Sequence, residues 1–349
     1  MITNLAIDQK PAPSTAARLR SKLARRPEIA IGAVAVAAMI VIGTINPAFW
    51  EWGNLFSLLR ANVITGILAL GVLLVMLSGG IDVSFPAFAI AAMYLTIKAM
   101  IAWPYDGVVL PFCVATLIGL LLGLVNAAFV QGFRMIPLIV TLGTGTAVRG
   151  FILGAVGASQ INIDRMPPAL IAFGRTEIFS VTQANGQPVG LSAMVLVYLA
   201  LAAIVHVILR HTLIGRSIYV LGGGEEAARR AGFSVPVTVF FIYGLAGALA
   251  GFTGLLHGSM IWIANPHDMI GLELDVIAAV VLGGASIFGG RGSVLGTMLG
   301  VFTLVLLTNS LIIMHIDTTW QRVAVGGVVI LATALTSWRD RASRRRAVR

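Results

Sequence analysis

Long apolar stretches separated by short polar ones run through the whole chain. A helix needs ~20 mostly apolar residues to cross the hydrocarbon core of a bilayer. Stretches of that kind occupy residues 29–45, 58–77, 108–130, 191–209, 237–257, 294–314 and 320–335. Three more are less regular: 85–101 carries Lys98 near its end, 136–156 carries Arg149, and 274–288 is short. Together they predict an all-α polytopic membrane protein with about ten transmembrane helices. An even number of spans places both termini on one side.

The positive charges follow that arrangement. With the termini inside, the inside segments hold both basic tails together with Arg134, Arg210, Arg216, Arg229, Arg230 and Arg291. Eighteen of the 24 lysines and arginines then lie inside, as the positive-inside bias requires. The pattern predicts a basic cytoplasmic N-terminal tail (1–27), a transmembrane permease domain (28–338) and a basic cytoplasmic C-terminal tail (339–349). The largest gap between spans, 158–190, falls outside. It is polar and rich in Pro and Gly, which suits an ordered lid or docking surface; a plain linker is the competing reading.

Composition agrees with the pattern. Of the 349 residues 58% are hydrophobic and 11% charged, and the mean hydropathy is +0.95. A soluble domain carries about 25% charged residues. The net charge of +10 does not point to nucleic acid, because most of the basic residues sit in tails and short loops. The N-terminal tail is long for a signal peptide, and Asn46-Pro47-Ala48-Phe49-Trp50 is not a small-residue cleavage site, so the first stretch reads as an uncleaved span. The one cysteine, Cys113, has no internal partner, and the five histidines show no HExxH or similar metal spacing.

One polar block stands out between two spans: "GRSIYVLGGGEEAARRAGFS", residues 215–234. Residues 225–231 read as a short helix. Gly224 serves as N-cap, Glu225 and Glu226 suit the positive end of the helix dipole, and Arg229 and Arg230 suit the negative end. Glu225 with Arg229, and Glu226 with Arg230, are i,i+4 pairs in the favourable order. Gly232 stands where a C′ glycine ends a helix. Ala227, Ala228 and Ala231 offer a small face on which another surface could settle. Helices shorter than ~12 residues are marginal in water, so the block is either held by a partner or is a solvated loop helix.

Two other glycine-rich segments stand where spans meet. "VMLSGGIDVSFPAFAIAA" (75–92) sets Asp82 beside Gly79, Gly80, Ser84 and Pro86. An acid at membrane depth is costly and irregular backbone there must be buried or line a cavity. The segment is therefore a broken helix at a transport path, or a tight turn with Asp82 in water. "VVLGGASIFGGRGSVLGTMLG" (280–300) repeats the Leu-x-Gly-Gly pattern weakly, at Leu282, Gly283 and Gly284. Gly292, Gly296 and Gly300 are spaced for close helix packing. Neither "GTGTAVRG" (143–150) nor "GGRGSVLG" (289–296) follows a predicted strand, so neither is a nucleotide loop. Lys10, Lys22 and Lys98 precede Pro11, Leu23 and Ala99, so no Gly-Lys-Ser/Thr phosphate loop exists.

"SGGIDVS" (78–84), "GRSIYVLGGGEEAARRAG" (215–232) and "VLGGASIFGGRGSVLGT" (281–297), in that order and spacing, resemble the permease subunits of ribose-type bacterial ABC importers. The likeness runs over roughly residues 28–339 and implies a type II ABC importer-like permease in the bacterial inner membrane. It implies a second permease, homologous or identical, a periplasmic substrate-binding protein, and cytoplasmic ATPase subunits that carry ATP-Mg. This chain would hold no cofactor, metal or catalytic residue. Gly224, Glu225, Glu226, Ala227, Ala228, Arg229, Arg230, Ala231 and Gly232, within a cytoplasmic loop of 210–235, match the family's ATPase-coupling helix. Gly79, Gly80, Asp82, Ser84, Asn126, Thr141 and Asn309 are the candidates for the translocation path. The solute implied is a monosaccharide or related polyol. Branched-chain amino-acid or nucleoside permeases are the alternative; the former usually lack the Gly-Gly-Arg-Gly found at 289–292. Phe85-Pro86 departs from the sugar family's usual Val-Gly. An ion-coupled secondary transporter would need charges near mid-membrane, for which Asp82 and Arg149 are the candidates. A membrane enzyme would need convergent acids or histidines.

Overall fold

The computed structural model describes residues 27–183 and 186–314, with 317, 320, 323, 326, 327 and 330 beyond them. The helices are α1 (Pro27–Ile45), α2 (Trp52–Leu77), α3 (Phe85–Ala102), α4 (Val109–Ala127), α5 (Pro137–Phe151), α6 (Pro168–Gly174), α7 (Met194–His211), α8 (Leu213–Leu221), α9 (Glu225–Arg230), α10 (Val235–Ile261), α11 (Leu272–Leu282) and α12 (Val294–Ile313). Two antiparallel strands, β1 (Glu177–Thr182) and β2 (Pro188–Ser192), form a hairpin between α6 and α7. Prolines open several spans: Pro86, Pro137 and Pro236 lie in first turns, where the missing N–H costs nothing.

Eight described helices are long and apolar enough to span a membrane. The chain is a multi-pass all-α membrane protein, and the expected count of ten is approximate. The predicted stretch 274–288 is an 11-residue helix, α11, followed by an irregular glycine loop, too short to span alone. The stretch 320–335 and both predicted tails lie largely outside the described residues.

The centre of the bundle is α2, α3 and α10, where Ile67–Leu77 and Phe88–Met93 are almost wholly buried. The flanking helices present large apolar side chains outward: Val34, Val36 and Ile40 on α1, Leu117 and Leu121 on α4, Ile139 and Leu142 on α5, Leu196 and Leu199 on α7. In a bilayer that surface meets its own solvent. Between helices lipid supplies no hydrophobic drive, so close backbone packing carries association. It does so at α4 against α10: a Cβ on Gly119 would strike the Gly247 carbonyl, and one on Gly251 the Ala115 carbonyl. Gly296 and Gly300 pack likewise against Gly283 and Ala279 at the end of α11. Gly292, grouped with them by spacing, lies in the loop before α12 and touches the Leu73, Leu77 and Ala285 side chains.

The bundle has two ends. One carries 78–84, 212–234 and 283–293. The other carries 158–192 and 262–271, which fold together: Ile161 and Ala264 exchange backbone hydrogen bonds of 2.9 and 3.0 Å, and Gly174 seats against the Ser259 backbone. Residues 158–192 are thus folded onto the ends of α2 and α10, with the hairpin standing on them.

Candidate functional site

Helix α9 forms as its local signals require. Gly224 occupies the N-cap and Arg229 Nη2 donates to Glu225 Oε1 at 2.6 Å. Arg230 Nε donates to Glu226 Oε1 at 3.1 Å. Gly232, at φ +81°, lets the Phe233 amide turn back onto the Ala228 carbonyl at 3.0 Å. Two details differ from the sequence reading. Ala231 is the C-cap rather than the last helical residue. Ala228 is 1% exposed because it packs inward on the protein itself, so the face left for another surface is Glu225, Glu226, Ala227, Arg229, Arg230 and Ala231.

What α9 is attached to follows from α8. Thr212 Oγ1 caps α8 by accepting from the Gly215 amide at 3.1 Å, and Thr238 Oγ1 donates to Ser217 Oγ at 3.0 Å, fastening α8 to α10. Tyr219 donates its hydroxyl to the Gly292 carbonyl at 2.9 Å. Burial pushes the Tyr219 phenol above its ordinary range, so it stays a donor. After α8 the chain passes Gly222, where a Cβ would collide with the Leu77 carbonyl and the Gly290 amide. Those two groups bond each other at 2.9 Å, and Gly289 abuts Gly222 and the Gly79 amide. The three glycine-rich motifs, far apart in sequence, meet in one knot. Ser293 adds α1 by donating to Glu28 at 2.8 Å.

Helices α2 and α11 end in the same way; α2 and α3 are each long enough to span, so 78–84 is a turn between two spans and not a broken helix. On α2 the Gly80 amide donates to the Val75 carbonyl, with Gly79 at φ +87°; on α11 the Ala285 amide donates to Val280, with Gly284 at φ +89°. Each is a Schellman cap, and they register Leu77-Ser78-Gly79-Gly80 on Leu282-Gly283-Gly284-Ala285. The weak repeat in the sequence is a repeated helix ending.

Beyond the first cap, Asp82 is 4% exposed, so it is not in water. Its Oδ1 accepts from the Ser84 amide at 2.7 Å and the Ser84 hydroxyl at 2.6 Å. Asn126 Nδ2 donates to Ser84 Oγ at 2.8 Å, and Thr144 donates to Asn126 Oδ1 at 2.7 Å. Thr141 Oγ1 accepts from the Val83 amide and donates to the Ile81 carbonyl, both at 3.3 Å. The turn after α2 is thereby tied to α4 and α5. Tyr243, on α10, brings up to Gly80 a buried hydroxyl that has no partner among the described residues. Of the path candidates, Gly79, Gly80, Asp82, Ser84, Asn126 and Thr141 come together. Asn309 does not: it donates to Asn54 Oδ1 at 2.7 Å near the other end of the bundle.

Sequence reasoning missed Thr144, whose i+3 spacing from Thr141 was the available signal. It also missed the partner of Arg149, which is Glu273 at 2.8 Å, in the first turn of α11. A charge among spans is tolerated when paired. Among the described residues, no three His, Cys, Asp or Glu stand together as a metal site would need.

Residues 54–334 match the family described as "Branched-chain amino acid transport system / permease component". The chain belongs to this permease family. The permease is 32% identical over 292 residues to the ribose import permease protein RbsC of Escherichia coli K12, covering 84% of this chain and 88% of that one. It is 35% identical over 297 residues to RbsC of Bacillus subtilis, covering 85% and 88%. It is 29% identical over 374 aligned positions to the xylose transport system permease protein XylH of E. coli K12, covering 91% and 92%. No solved structure matches. The permease is a membrane subunit of the ABC importer kind, not an enzyme.

Proposed function

We propose that this permease forms the translocation path of an ATP-driven importer for a monosaccharide, in a bacterial inner membrane with both termini in the cytoplasm. The observation that carries the reading is the knot at Gly222. A short capped helix with an exposed outer face is joined by Gly223 and Gly224 to Gly222, which sits on the end of α2 and on the loop that follows α11. A push on α9 from ATPase subunits closing on ATP-Mg reaches Leu77 and Gly290 through only two residues, Gly223 and Gly224. The Asp82 network carries the displacement from the turn after α2 to α4 and α5. Alternating access needs such a linkage and no catalytic residue in this chain.

The ABC importer family implies ATPase subunits, a second permease and a periplasmic binding protein, and we assign 158–192 as the surface on which the binding protein docks. The positive-inside bias supports placing α9 in the cytoplasm and the hairpin outside. Labelling with an impermeant thiol reagent checks this in a Cys113→Ser background: Thr182→Cys reacts in intact cells and Ala231→Cys only after lysis. The reverse pattern inverts the topology.

A monosaccharide is favoured by the ribose and xylose named for the relatives. A branched-chain amino acid, the solute in the matching family's name, is the alternative reading. Uptake by the reconstituted importer, with its binding protein, of ribose, xylose and leucine decides between them. Accumulation of a pentose supports the first reading, and accumulation of leucine alone replaces it with the second.

A further inference from the structure

At the end of the bundle opposite α9, two recesses share Arg60 in their linings. The inner one, about 480 Å³, lies between the N-terminal half of α2 and the end of α10 and is lined by Arg60, His257, Asp268, Met260 and Leu272. The outer one, about 450 Å³, is lined by Arg60, Arg175, Glu177, Ser192 and Trp262. None of these residues belongs to the Asp82 network or to the knot.

The polar groups are held in place. Residues 262–271 fold back along α10 so that His257 Nε2 and Asp268 Oδ2 stand 2.7 Å apart. Asp268 Oδ1 accepts from the Met269 amide at 3.0 Å. The hydrogen bond from His257 holds the Asp268 carboxyl below its ordinary range, so it remains an acceptor. Arg60 donates one N–H to the Met260 carbonyl at 2.5 Å, leaving the rest of its fork to the recesses. Trp262 is left-handed at φ +61°, a costly conformation for so bulky a residue, which persists where the surroundings impose it and clusters at binding sites. The Arg175 guanidinium lies 4.4 Å from the centre of the Trp262 ring, and the buried Trp262 Nε1 has no partner among the described residues.

We propose that these recesses, on either side of Arg60, are a receiving site for one polyhydroxylated solute of monosaccharide size. This rests on the reading of the chain as a monosaccharide permease and assigns that solute its first residues. The volume lies in the range of small-molecule sites, which pair apolar walls with a few fixed polar groups. Asp268 and Glu177 accept from hydroxyls, Arg60 and Arg175 donate to them, and Met260, Leu272 and the Trp262 ring offer apolar surface to C–H faces.

The test is saturation-transfer NMR on the full-length permease in lipid nanodiscs, with millimolar ribose, xylose and leucine as probes. Wild type and the variants Asp268→Asn, Arg60→Gln and Ala61→Phe are compared, the last filling the inner recess from its wall. Loss of one hydrogen bond to a charged group weakens binding about tenfold. The expected result is saturation of pentose C–H protons on wild type, cut about tenfold in each variant, with none for leucine. Pentose signals unchanged in all three variants overturn the site and leave the monosaccharide reading standing. Signals from leucine and not from either pentose overturn that reading instead. No signal from any probe on wild type overturns the site.

Discussion

The Gly290 amide donates to the Leu77 carbonyl at 2.9 Å, and Gly222 is seated against both groups. The bond joins the last turn of α2 to the loop that precedes α12. The glycine brings the segment leading to α9 within backbone contact of that joint.

Gly222→Val tests whether this close approach matters. Any Cβ there meets backbone atoms, which have no flexible end to move aside. The expected outcome is a correctly inserted permease whose α8–α9 segment is displaced, with solute uptake lost and ATPase binding weakened. Co-purification with the ATPase and an uptake assay measure the two effects. Gly223→Val, one residue along and more open, should do far less.

The Asp82 carboxylate anchors Ser84 and, through it, Asn126. Asp82→Ala leaves buried donors unsatisfied at about 1–3 kcal/mol. It should cut uptake while membrane expression stays near normal. Asp82→Asn keeps a carbonyl oxygen at the same position and should recover a large part of the activity. Equal uptake in wild type and Asp82→Ala, at equal expression, removes the network from the mechanism.

Arg149 and Glu273 pair at 2.8 Å between α5 and α11, both mostly buried. Removing one partner leaves an unpaired charge, at a cost of about 3 kcal/mol. Arg149→Ala or Glu273→Ala should lower the melting temperature of the purified permease, and the double variant should be more stable than the sum of the two. Additive losses would show that the pair contributes no coupling.

Much of α9 was legible in the sequence because its determinants are local. Glu225 and Arg229 lie one turn apart, and Gly232 follows the last helical turn. The end of α2 was placed correctly at Leu77, but the stretch 274–288 ran past Gly284, whose left-handed backbone ends α11 at Leu282. What pairs across the fold was not. Glu273 is 124 residues from Arg149, and no periodicity relates them. Ala228 has the same composition signal as Ala227, yet only packing against neighbouring helices decides which is covered. Asn309 looked like a polar residue for a path, but its partner is Asn54 in the first turn of α2. His257 and Asp268 came together only because residues 262–271 fold back on α10.

The central claim is that α9 transmits the ATPase stroke to the end of α2 and the loop that follows α11. Each of its exposed ion pairs contributes only about 0.3–0.5 kcal/mol, too little for their loss to unfold the bundle. Any large functional effect of changing them must come from a partner. The direct measurement is ATPase activity of the reconstituted importer, with and without loaded binding protein, alongside solute uptake, for Glu226→Lys and Gly232→Val. Both variants should insert normally and lose binding-protein stimulation and uptake together. Full stimulation and full uptake in both would make α9 a solvated loop helix and contradict the claim.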